Sequence, residues 1–165
     1  MTQPQPAPRS NRTLLIIIIV LLLLVVCGGA VPVMGILAAI AIPNFVVMQY
    51  RAKRGEVPMN VDAIKTAQFA YDATYDTFLE VHEPVPLDPI MLGKMAVAWP
   101  SGTAFDELMW QPNGLVRGTY WVEVSPDGMD FTVHGMCDVD GDGEAAHYTA
   151  TKTTNTTMET SNTVY

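Results

Sequence analysis

The stretch Gly35-Ile36-Leu37-Ala38-Ala39-Ile40-Ala41-Ile42-Pro43-Asn44-Phe45, GILAAIAIPNF, ends a run from Leu14 to Ile42 in which all 29 residues are apolar or small. As one helix that run would reach about 44 Å, against a hydrocarbon thickness of about 30 Å. It suffices for one membrane crossing and falls short of two, which need about 40 residues and a turn. A cleaved secretory signal fits poorly, because its apolar core is normally only about 7–15 residues long. We therefore read 13–43 as a transmembrane helix preceded by a polar, Pro/Gln-rich leader over 1–12. Gly28, Gly29 and Pro32 divide the run, and proline removes a helical hydrogen bond, so a kink or local break is expected there.

Charge is distributed unevenly around this segment. The net charge of −8 conceals a first third with five bases (Arg9, Arg12, Arg51, Lys53 and Arg54) and no acid. Everything after residue 54 holds all 17 acids and only four bases. Such a domain repels phosphate, which excludes nucleic acid as a partner, while bases on both sides of an apolar run are what a membrane anchor carries. The two cysteines, Cys27 in the apolar run and Cys137 in the acidic part, are expected in different media and hence not paired.

Beyond the apolar run, 44–80 reads as an extramembrane helix. Val57, Val61, Ile64 and Tyr71 recur at helical spacing, with Ala67 and Ala70 on the flank and Asp62, Lys65, Asp72 and Asp76 elsewhere. Pro58 predicts a bend or a helix restart between Glu56 and Asn60. The aromatic series Phe69, Tyr71, Tyr75 and Phe78 reads as core packing under a sheet rather than a ligand platform. Residues 81–116 contain Pro84, Pro86, Pro89, Pro100 and Pro112, which predicts a looped connection with one strand at Met95 to Trp99. From 117 to 165 the period becomes two. Tyr120, Val122 and Val124 alternate, Ser125-Pro126-Asp127-Gly128 makes a turn, and Met129, Phe131 and Val133 alternate again, which is a β-hairpin. A third strand at Ala145 to Lys152, with Tyr148 and Ala150 on one face, completes an antiparallel meander, and Thr163-Val164-Tyr165 of the Thr-rich tail is expected as an edge strand. The fold class is α+β, a long N-terminal hydrophobic helix continuing into a helix packed under a small antiparallel sheet.

The segment Gly35, Ile36, Leu37, Ala38, Ala39, Ile40, Ala41, Ile42, Pro43 closely resembles the N-terminal helix of bacterial type IV pilins and of the pseudopilins of type II secretion, and Tyr50 to Arg54, Ala63 to Gln68 and Tyr71 continue that likeness. The resemblance implies a structural or accessory subunit of a type IV pilus or secretion pseudopilus. The implied partners are inner-membrane lipid and other pilin-like subunits or an assembly platform, with Gly35 to Pro43 as the assembly and membrane helix. It also implies a single-pass bacterial inner-membrane protein with a cytoplasmic N-terminus and a C-terminal domain in the periplasm or a surface filament. Members are cut after a glycine and carry a glutamate early in the mature helix. Aligned on the shared segment, those two positions hold Leu21 and Val26 here. The alternative expectation is therefore an uncleaved single-pass protein that uses the pilin fold as a periplasmic binding module, in which an uncompensated glutamate in lipid would be unfavourable.

Site chemistry is concentrated in Asp138-Val139-Asp140-Gly141-Asp142-Gly143, where alternate carboxylates on a Gly-containing loop can converge on a hard cation, calcium being the candidate cofactor. Glu144 or a carbonyl would complete a loose site, whereas the twelfth position, Thr149, reads as strand and argues against a helix-loop-helix calcium hand. A solvated acidic hairpin loop is the alternative. His134, Cys137 and His147 are metal-ligating types, but odd separation along a strand sends His134 and Cys137 to opposite faces, so packing is the expected role. No Gly-x-Ser-x-Gly, phosphate loop or His-Glu-x-x-His occurs, and neither catalysis nor a small-molecule substrate is expected.

Overall fold

The computed structural model describes residues 11–86 and 93–165. Most of the polar leader, residues 1–10, and Pro89 lie outside that set. Two compact units are present, 1–46 and 47–165.

Nearly all the described residues of the first unit belong to one helix. Helix α1 runs Arg12–Arg54, without interruption at Gly28, Gly29 or Pro32 and with Pro32 and Pro43 inside it, so the expected local break does not form. Apolar helices tolerate internal proline because the backbone group it frees can be satisfied locally. At Asn44 the side-chain amide donates to the Ile40 carbonyl at 2.9 Å. Between Leu14 and Ile42 the large side chains are all exposed, Val25 by 72% and Met34 by 70%. With this hydropathy, and with none of its apolar window buried among the described residues, the helix is long and apolar enough to cross a membrane.

The second unit begins in the last two turns of α1. Helix α2 spans Glu56–Tyr75 and restarts at Gly55, so the restart predicted from Pro58 is present. It buries Val57, Val61, Ile64 and Gln68, one stripe at i, i+4, i+7 and i+11. Asp76 ends it in the left-handed conformation (φ 56°), earlier than the expected boundary at residue 80. Gln68 is absent from the apolar pattern yet fully buried, because its amide pairs with both backbone groups of Leu79, accepting from the N–H at 2.9 Å and donating to the carbonyl at 2.6 Å. That pairing satisfies a polar group which would otherwise be costly to bury.

A five-stranded antiparallel sheet packs on α2 in the order β1-β4-β5-β6-β7. Its strands are β1 Val81–Val85, β4 Thr119–Val124, β5 Phe131–Cys137, β6 Ala146–Thr151 and β7 Thr157–Met158, while β2 Val97–Ala98 and β3 Leu115–Val116 form a separate ribbon. The predicted hairpin is β4–β5, with Val122 opposite Val133 and a turn closed by the Gly128 N–H on the Ser125 carbonyl. Alternation on β5 and β6 is strict: Phe131, Val133, Gly135 and Cys137 face inward, as do Ala146, Tyr148 and Ala150.

Three further expectations are corrected, and within the aromatic series read as core packing Tyr75 is instead exposed. The region read as a loop contributes β1 to the main sheet, because pairing with β4 overrides the unfavourable Pro84 at an edge. The same region buries Phe105 and Leu108, and Trp99, Phe105 and Trp110 cluster with Tyr120 at centroid distances of 5.3–6.2 Å. Thr163-Val164-Tyr165 is not a strand, since β7 takes the edge. Val164 and Tyr165 are buried instead, the Tyr165 carbonyl accepting from the Val139 N–H at 3.0 Å. Arg54, expected as a flanking base, is only 7% exposed. Its guanidinium donates to the Val164 carbonyl and to the Asn162 side chain at 2.7 Å, and lies over the Tyr165 ring. Arginine tolerates such burial when its fork is satisfied by oxygens.

α2 can approach β5 only because Gly135 has no side chain. A Cβ there would stand 2.6 Å from Val61 Cγ2 and 2.7 Å from Val57 Cγ1. Gly135→Ala should lower the stability of this unit by about 1–3 kcal/mol through overpacking. Adding Val61→Ala should recover part of the loss in a double-mutant cycle followed by chemical denaturation.

Candidate functional site

Two groups of chemically competent side chains lie on the second unit. The first is the acidic loop between β5 and β6. One carboxylate oxygen from each of Asp138, Asp140 and Asp142 falls within a 4.8 Å cluster. Asp138 is buried and shapes the loop by accepting the N–H of Gly141 at 2.6 Å and of Gly143 at 3.0 Å. Both glycines have positive φ, 70° and 89°, a conformation that other residues adopt with strain. Asp142 accepts the Glu144 N–H, whereas the exposed Glu144 side chain stands apart from the three-carboxylate group. One oxygen of Asp140 is shielded from solvent without a protein donor. Burial, then the neighbouring charges of Asp142 and Asp138, raise the Asp140 carboxyl above its ordinary range. Thr149 lies in β6, so the loop is a strand-to-strand connection and not half of a calcium hand. The stem of Lys94 lies over Gly141, close enough that a Cβ there would meet it at 2.7 Å.

The second group is on the outer face of the sheet, and spacing within a single strand does not reveal it. Cys137 points inward and is buried, with its thiol pushed up to about 12 by desolvation, so it is neither a ligand beside His134 nor a reactive thiol. Cys27 is likewise unpaired. The two histidines do meet. Met136 pairs with His147 across β5–β6, so His134 and His147 are diagonal neighbours on the outer face, with His134 Nδ1 and His147 Nε2 3.1 Å apart. Trp121, opposite His134 on β4, stacks on it at 4.7 Å and 4°. His134 Nε2 is shielded from solvent and faces Glu123 Oε2 at 3.7 Å. Glu159 also acts electrostatically on both rings, its carboxylate held by the hydroxyls of Thr149 at 2.6 Å and Thr157 at 3.1 Å. The signal that could have found the pair is cross-strand: with β5 and β6 joined by the loop through Asp138 to Ala145, alternation puts both histidines on the polar face.

The helix segment Gly35 to Pro43 lies wholly in α1 and presents Ile36, Leu37, Ile40 and Ile42 as exposed side chains, each by about three-fifths. Taken together, one long N-terminal helical stretch and a small antiparallel sheet after it define an α+β, pilin-like arrangement.

Comparison with known proteins agrees with that class. The chain is 39% identical over 59 residues to the type IV major pilin protein PilA of Myxococcus xanthus (strain DK1622). The matched stretch is 36% of this chain and 27% of that protein, so the chain spans only about a quarter of the relative. No family description matches the chain, and no solved structure does.

The histidine pair gives the domain a pH dependence. Desolvation, the largest cause, lowers both rings below the ordinary 6.5, while Glu123 and Glu159 oppose it and the rings' mutual repulsion reinforces it at His134. The unfolded chain then takes up protons more readily than the folded one, so stability is complete above about pH 6.5 and falls as pH drops through the depressed values. Melting temperature should accordingly decline below pH 6.5, and His134→Gln with His147→Gln should flatten that decline. Asp140 acts in the opposite sense, at the lower pH of carboxyl titration.

Proposed function

We propose that this chain is a pilin-like subunit anchored by α1 in the bacterial inner membrane. Its N-terminus faces the cytoplasm and its helix-on-sheet domain lies in the periplasm or in a surface filament. In that setting it is a structural or accessory component of a type IV pilus or of a type II secretion pseudopilus, in contact with other pilin-like subunits or an assembly platform. The likeness to a type IV major pilin carries this reading, because it comes with an apolar helix whose large side chains from Leu14 to Ile42 are all exposed among the described residues. Such a helix must be covered by lipid or by the helices of neighbouring subunits. A second reading is favoured by Leu21 and Val26 at the positions of the processing glycine and the assembly glutamate. It makes the chain an uncleaved single-pass protein whose exported domain acts as a binding module.

Intact mass spectrometry of the protein from membranes and from sheared surface filaments separates the two. The subunit reading expects the chain in the filament fraction, shortened near Leu21 or Gly29. A full-length chain confined to membranes would transfer the assignment to the binding module.

The acidic loop is proposed as a calcium site of this domain, with Asp138, Asp140 and Asp142 as the oxygen ligands and Glu144 joining a looser shell only by a turn of its exposed side chain. The shielded Asp140 oxygen and the raised carboxyl support it, since a cation relieves both. Calcium at about 1 mM should raise the melting temperature of the full chain in detergent micelles. Asp140→Asn should raise it in calcium-free buffer and remove the calcium increment; an unchanged melt for the unsubstituted chain rejects the site.

A further inference from the structure

The outer face of the sheet carries a feature that membrane anchoring and the acidic loop leave unused. We infer that His134 and His147, with Glu123 behind them, form a site for a borderline divalent transition cation of the Zn²⁺, Ni²⁺ or Cu²⁺ type.

Three observations carry this. The first is the separation of the two ring nitrogens. Zinc–imidazole bonds are about 2.0–2.1 Å long, which puts two adjacent ligand nitrogens roughly 2.8–3.4 Å apart on an octahedral or tetrahedral centre. His134 Nδ1 and His147 Nε2 are 3.1 Å apart, within that range, so the pair can chelate one cation once the two rings turn from the proton they share toward it, with both strands left in place. The second is the far side of His134. Nε2 is shielded from solvent and has no hydrogen-bond partner, and the nearest acceptor, Glu123 Oε2, stands 3.7 Å away. With its proton on Nε2, His134 points that N–H at a carboxylate and presents a bare Nδ1 lone pair on the other side. A closer approach of that carboxylate on binding would complete the carboxylate–histidine–metal arrangement, in which the carboxylate fixes the tautomer and strengthens the ligand.

The third observation is preorganisation. The indole of Trp121 stacks on both imidazoles, at 4.7 Å and 5.8 Å, with the three rings within 15° of parallel. The rings therefore give up little freedom when they bind. Glu159, held by two threonine hydroxyls, adds negative charge to a patch that has no basic side chain bonded into it among the described residues. Water completes the coordination shell. Imidazole selects this class of cation over calcium, which separates the site from the acidic loop on the same domain.

The test uses the full chain in detergent micelles with Zn²⁺ as the probe, followed by calorimetry and by the histidine ring resonances. His82, 80% exposed beside Glu80, is an internal reference. Saturable uptake of one Zn²⁺ is expected, with shifts at His134 and His147 that exceed those at His82. Calcium should not compete, and Asp140→Asn should leave uptake intact. His147→Gln should weaken binding at least tenfold, and Glu123→Gln, which touches no metal, by about tenfold. The resonance readout needs no variant, so it decides the matter even if a histidine substitution unfolds the sheet. Uptake that fails to saturate, that survives removal of both histidines, or that shifts His82 as much as the pair overturns the assignment.

Discussion

Contact between α2 and the middle of the sheet at Gly135 is the constraint on which the second unit rests. Val57 and Val61 occupy the space a side chain would need there, and Gly118 repeats the device beside Val57 and Tyr120. Because the helix lies this close, its stripe seals the inner face of β4, β5 and β6, and valine suffices where larger residues would not fit. The aromatic bulk is displaced to the margins. Phe78 and Phe131 close one end, and Trp99, Phe105 and Trp110 gather around Tyr120 at another. The Tyr120 hydroxyl oxygen accepts from the Asn60 side-chain amide at 2.8 Å, so it keeps a partner in its buried position.

Arg54 closes the domain from the side of α1. It looks like one of a cluster of bases flanking a membrane segment, yet it alone of Arg51, Lys53 and Arg54 is buried, gathering oxygens from Asn162 and Val164. The end of the Thr-rich tail is thereby fixed without a strand. A carbonyl-rich tail can satisfy itself on one guanidinium and one neighbouring N–H, that of Val139, in place of a ladder.

Sequence made some elements legible and hid others for identifiable reasons. The stripe Val57, Val61, Ile64 and the alternation around Ser125 to Gly128 are local patterns of apolar residues, and each appears as read except at Met129, which precedes β5 and is exposed. β1 was hidden because its interior reads His82-Glu83-Pro84, an exposed edge strand whose stability comes from β4 rather than from its own composition. Gln68 was hidden because a buried amide cannot be told from a solvent-facing one until Leu79 is placed beside it. The acidic loop was visible as a spacing of carboxylates within six residues. His134 and His147 are thirteen residues apart, and only the register of β5 on β6 makes them neighbours, a quantity that no single-strand pattern encodes.

The margins of the sheet bear on how the protein can meet other molecules. β1 carries Pro84 with His82 and Glu83 exposed around it, and β7 is two residues long. A proline removes a ladder donor, charged side chains resist dehydration, and two residues offer too little backbone to template another strand. Growth by strand addition is thus closed at both ends of the sheet. Ordered assembly of this domain is directed to helix surfaces and sheet faces, and the route by which exposed β-edges turn into aggregates is blocked at β1 by three residues and at β7 by its length.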